Sequence, residues 1–145
     1  MTDRRPSSLP PTLPAMLPPS LDDLLAYAEA ALASIPAELR EHTRGVAILI
    51  DEFPDGETIR EMELGSPYDL LGLYSGVSLD QKSTGDAPMD QDRIFLYRQP
   101  ILAYWCESGE DLAHLVRHVL IHEIGHHFGL SDADMEALEA QAGGQ

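Results

Sequence analysis

This sequence predicts an α+β fold. The expected architecture is a compact single domain in which a small mixed sheet, of about three or more strands, packs against one long helix near the C-terminus and another near the N-terminus. Three observations carry the expectation. A helical apolar period runs through Leu112, Leu115, Val116, Val119, Leu120 and Ile124. A second runs through Leu21, Leu24, Leu25, Ala28 and Leu32. Between them lie short runs rich in β-branched and aromatic residues, bounded by turn residues. At 145 residues and 43% hydrophobic content the chain can build one ordinary core, with at most a tail beside it.

In chain order, residues 1–19 carry Pro6, Pro10, Pro11, Pro14, Pro18 and Pro19 and read as an extended, disordered tail, so the folded domain is expected over 20–145. Ser20 and Asp23 make a capping box that opens a helix to about residue 35. Pro36 stops it and begins a short second turn to about residue 41. Residues 45–52, with Val46, Ile48, Leu49 and Ile50, read as a central strand. Pro54, Asp55 and Gly56 end it, and 57–64 can form a helical turn. A second strand falls at 70–74, with Gly72 and Gly76 where another backbone can approach closely. Residues 78–91 read as a long polar loop, and 93–98 as a third strand. Residues 100–106 can be helical or extended. Ser108 with Asp111 reads as the cap of the long helix, which runs to about Phe128. Ser131 with Asp134 caps a last short helix to about Ala140.

The long helix carries the chemistry. It contains His122-Glu123-Ile124-Gly125-His126, an H-E-x-x-H pattern extended by Gly129 and Asp132. Histidines four apart sit one turn above each other and face the same way, which makes a clamp for one zinc ion. Glu123 lies between them and can act as general base on a metal-activated water. On a helical wheel Glu123 falls in the middle of the apolar arc, with His122 and His126 on its flank. A carboxylate in an apolar stripe is costly unless something compensates it. Gly129 lets the chain leave the helix and turn back, bringing Asp132 round as the candidate third ligand. Asp132 also suits the first turn of the next helix, and Asp134 and His118 are alternatives. His118 and His126, eight apart, cannot share an ion on a straight helix. His118 therefore reads as supporting or structural, His114 as solvated, and His127 as packed or hydrogen-bonded.

The stretch from Val116 to Gly129 resembles the small bacterial zincin-like metallopeptidases, the minimal zincin family. Two further blocks share the resemblance, residues 66–76 (SPYDLLGLYSG) and 92–102 (DRIFLYRQPIL). The likeness spans about residues 45–135. It implies a zincin-like α+β fold, zinc on His122 and His126 with Asp132 where longer zincin motifs place a third ligand, and hydrolysis of peptide bonds with Glu123 as general base. The substrate is then a peptide or protein lying along an exposed strand edge, at 70–74 or 93–98. Tyr74, Tyr97 and His127 are oxyanion helpers by residue type only. The competing expectation is a weakly active or inactive metal-binding relative working as an interaction module.

A net charge of −16 argues against nucleic acid and against anionic membrane surfaces as partners. The chain has no apolar run long enough to span a membrane and no convincing signal peptide. Cys106 is the one cysteine, so no internal disulfide forms. That fits a reducing cytoplasm, with Cys106 itself expected as a small buried apolar residue. The sequence leaves the oligomeric state and the cleavage preference open.

Overall fold

The computed structural model describes residues 17–41, 43–76 and 92–143. Six helices and three strands appear among them. The helices are α1 (Leu21–Ser34), α2 (Ala37–Glu41), α3 (Gly56–Glu61), α4 (Arg98–Ser108), α5 (Leu112–Phe128) and α6 (Asp132–Gly143). The strands are β1 (Ala47–Asp51), β2 (Gly72–Ser75) and β3 (Arg93–Tyr97). The sheet is mixed, with order β1-β3-β2, β1 parallel and β2 antiparallel to β3. This is the α+β arrangement expected. α5 lies across the molecule and packs against α1, α4, α6, β2 and β3. No helix among the described residues is long and apolar enough to cross a membrane.

Local signals explain most elements. Both bonds of the Ser20 box are present: Asp23 N–H donates to Ser20 Oγ at 3.0 Å, and Ser20 N–H to Asp23 Oδ2 at 2.8 Å. Leu24, Ala28 and Ala31 then face the core, one helical turn apart. Asp55 caps α3 through the Thr58 amide at 2.8 Å. α5 buries Leu112, Leu115, Val116, Val119, Leu120, Ile121 and Ile124. It ends in a Schellman motif. Gly129 has φ 72°, its N–H donates to His126 O, and Leu130 N–H donates to Gly125 O at 2.8 Å.

Four expectations need correction. Among the described residues β1 is an edge strand, and β3, with partners on both sides, is the central one. Ile48 and Ile50 of β1 pack on the core while Leu49 is 39% exposed, so its apolar run does not mean two covered faces. The long helix is capped by Asp111, whose side chain accepts from the His114 amide at 3.0 Å. Ser108 instead ends α4, a helix that takes in residues 100–106, and left-handed Gly109 separates the two. α6 runs to Gly143, past residue 140, because Met135 and Leu138 are buried and dock it. Cys106 is exposed, on the outer side of α4. The expected loop at 78–91 lies outside the described residues, as does the proline-rich segment up to residue 16. Of the segment's end, Pro19 is tied down: Arg98 Nε donates to its carbonyl at 2.7 Å.

Two glycines set the spacing around α5. A Cβ at Gly72 would lie 2.7 Å from Val119 Cγ1 and 3.1 Å from the Phe95 carbonyl, so only glycine lets β2 lie this close to the helix. A Cβ at Gly125 would run into the Met135 thioether, so glycine lets α6 close on α5. Gly125→Val is expected to cost about 1–3 kcal/mol through overpacking, more than its small gain in helix propensity returns. Urea unfolding measures it. An unchanged midpoint would mean that α6 gives way without loss.

Candidate functional site

α5 carries four histidines at four-residue spacing, His114, His118, His122 and His126, on the flank of its apolar face. Inside that face sits Glu123, only 8% exposed. The carboxylate receives a backbone hydrogen bond from Tyr74 of β2, the strand that Gly72 lets in. Among the described residues its Oε1 accepts no well-formed hydrogen bond, its nearest polar contact being the long ion-pair approach of His126 Nδ1 at 3.4 Å. Burial pushes the Glu123 carboxyl above the usual carboxylate range, against the opposing pull of His126 and the Tyr74 bond. Its neighbour Tyr97 is pushed up to about 12, mainly by burial and then by the charges of Asp51, Asp55 and Glu123. A buried carboxylate with an oxygen so poorly paired costs stability, so it calls for a reason beyond packing.

The expected metal ligands are His122, His126 and Asp132. The His126 side chain is 58% exposed and that of His122 34%. His122 is held below the ordinary imidazole range, first by burial and then by nearby His118, with Glu139 and Asp132 acting the other way. That favours the neutral imidazole, whose lone pair a metal can take. Asp132 is exposed in the first turn of α6, near enough to act on His122. Among the described residues, the group of three ligand atoms lying within 4.8 Å of one another is His118, His122 and Glu139. His126 and Asp132 stand outside that group. Glu139 was not singled out from the sequence. The available signal was its position seven residues after Asp132, which puts both on one face of α6.

A second feature legible only in three dimensions fastens β2 to α5. His127 is 2% exposed, and its Nδ1 lies 3.3 Å from the Tyr74 hydroxyl and 3.4 Å from Asp92 Oδ2. Burial, with the charge of Asp92 and a bond to it, pushes Tyr74 up to about 12. His127 is thus packed and hydrogen-bonded, as expected. Tyr74 and His127 brace the strand that touches Glu123, and Tyr97 is buried. Of the two strands expected to offer a peptide an edge, β3 is central and cannot, whereas among the described residues β2 lies at the margin of the sheet.

The donor set suits a divalent ion such as zinc: imidazoles, carboxylates, and beside them a buried oxygen with no well-formed hydrogen bond among the described residues. Residues 43–142 match the family model of the zincin-like metallopeptidases. The match begins after α2 and takes in the whole sheet, the H-E-x-x-H helix and nearly all of α6. A comparison with curated proteins finds no match.

Proposed function

The chain belongs to the zincin-like metallopeptidase family, and from that premise we propose that it is a zinc-dependent peptidase whose ligands are His122, His126 and Asp132. The observation that carries this reading is Glu123: a carboxylate buried in an apolar helix face, its Oε1 met among the described residues only by the long 3.4 Å approach of His126, on the helix between the two histidines. A structural metal site has no use for such a group, and structural zinc is ordinarily closed by four protein ligands. Zinc held there would supply Lewis acidity to a carbonyl oxygen and to water.

The chain's own residues do the rest. Glu123, with its carboxyl pKa raised toward the working pH by burial, takes the proton from the attacking water and returns it to the leaving amine. The Tyr74 amide keeps one side of that carboxylate fixed, leaving Oε1 for the water. The Asp92–His127–Tyr74 contacts hold β2 in register with α5 while substrate binds. An extended peptide pairs with the outer margin of β2 by strand addition, which runs its backbone past Glu123. The acidic surface favours basic residues in the substrate.

The test is a peptide library incubated with the zinc-loaded protein and read by mass spectrometry. Cleavage that a chelator abolishes and added zinc restores supports the proposal. A library left intact under saturating zinc would sink it and return the interaction-module reading. Asp132→Ala is expected to weaken zinc binding by about tenfold or more, measured by competition with a chromogenic chelator. Unchanged affinity would place the third ligand elsewhere on α6.

A further inference from the structure

We propose that His118, His122 and Glu139 form a second zinc site, which shares His122 with the catalytic pair and is therefore occupied only in exchange with it. The exchange rests on the catalytic reading above, whereas the cluster stands on its own geometry. Glu139 Oε2 lies 2.7 Å from His118 Nδ1 and 3.8 Å from His122 Nε2. The two imidazole rings lie with centroids 4.4 Å apart, their planes tilted by 47°. One donor atom from each residue thus lies within 4.8 Å of the others, against the ~3.4 Å that separates ligands around one tetrahedral zinc ion, so the three would draw in by about 1 Å. Little movement is needed to gather them.

Two imidazoles and a carboxylate are a sufficient set for zinc, with open positions left for water. The cluster is also held in place. The Glu139 side chain is 18% exposed, on a helix docked by Met135 and Leu138, so its carboxylate reaches α5 from a fixed base. His118 and His122 belong to one straight helix. By contrast, the exposed His126 ring must be drawn in to meet an ion together with His122.

His122 cannot serve both groups through one nitrogen at one time. An ion on His118, His122 and Glu139 therefore leaves His126 and Glu123 without it, and the peptidase is silent. An ion on His122 and His126 would leave Glu139 free to keep its 2.7 Å contact with His118. His118 also lines an open cleft of about 480 Å³ with Leu71, Tyr104, Glu110, His114 and Leu115. The cleft gives an ion a route to the cluster from a side of α5 bearing a carboxylate and a further imidazole.

The experiment measures zinc affinity and stoichiometry by chelator competition, and the visible spectrum of the cobalt(II) form, on the full chain. Wild type, His118→Ala, His126→Ala, His126→Ala/His118→Ala and His126→Ala/Glu139→Gln are compared, with circular dichroism confirming the fold of each. His126→Ala is expected to keep one equivalent of zinc at reduced affinity, with a cobalt spectrum distinct from wild type. Adding His118→Ala or Glu139→Gln should weaken that residual binding by a further tenfold or more. The proposal is overturned if His126→Ala alone abolishes binding, or if neither second substitution changes what remains. A separate result would sink the catalytic pair while supporting the cluster: wild-type affinity lost with His118→Ala alone and kept with His126→Ala.

Discussion

Glu123→Gln is expected to lower kcat for peptide hydrolysis by roughly 10²–10⁴-fold, the usual contribution of a positioned general base. Zinc affinity and fold should survive, because the amide keeps the carboxylate's shape and Glu123 is not among the proposed ligands. The same substitution should raise the stability of the metal-free protein. Glu123 is buried, its Oε1 has only the long His126 contact among the described residues, and its carboxyl is shifted upward by desolvation. A carboxyl whose folded pKa is raised favours the folded state only while protonated. Wild type therefore loses stability as pH rises through the unfolded pKa of Glu toward the raised folded one, and above that the loss is complete. The advantage of Glu123→Gln should be small at acid pH and full at alkaline pH. Urea midpoints of both proteins at pH 5 and pH 8 measure it. Equal midpoints at the two pH values would show that the carboxylate is not held at a cost. Retained hydrolysis would remove Glu123 from the mechanism.

The local grammar of this chain was legible in its sequence, and the lateral order of its strands was not. Ser20, Ser131 and Gly129 announce helix ends by groups that bond their own neighbours, and such signals need no tertiary information. The phase of α5 likewise placed Glu123 in the core from the period of its apolar neighbours. β1 misled because an apolar run states how hydrophobic a strand is, not how many neighbours it has. Parallel pairing to β3 across two intervening segments leaves no local mark. The Ser108 misreading arose where one helix ends and another starts within four residues, so that Ser108 and Asp111 belong to different helices. In the site, the histidine spacing was plain, whereas Glu139 and Asp92 reach it from distant elements. Only the docking of α6 and the pairing of β2 with β3 bring them in.

His122→Ala is expected to weaken zinc binding more than any other single substitution, by on the order of 100-fold or more, since even the outer partners of metal ligands are worth about 10–100-fold. The reason is its shared position. His122 has His118 one turn before it and His126 one turn after, with Glu139 within 3.8 Å and Asp132 close enough to act on it electrostatically. Removing His126 leaves three potential ligands together, and removing His118 leaves the catalytic pair. Removing His122 leaves His118 and His126 eight residues apart, about 12 Å along the helix axis and beyond the reach of one ion. The fold should not suffer, because alanine is the better helix former and the His122 side chain is one-third exposed. Zinc affinity by chelator competition, with circular dichroism and thermal unfolding alongside, separates the two effects. The ordering is the discriminating result: His122→Ala weakest, His126→Ala intermediate, His118→Ala nearest wild type. An His122→Ala protein that binds zinc as tightly as wild type would mean that neither ligand set on α5 holds the ion.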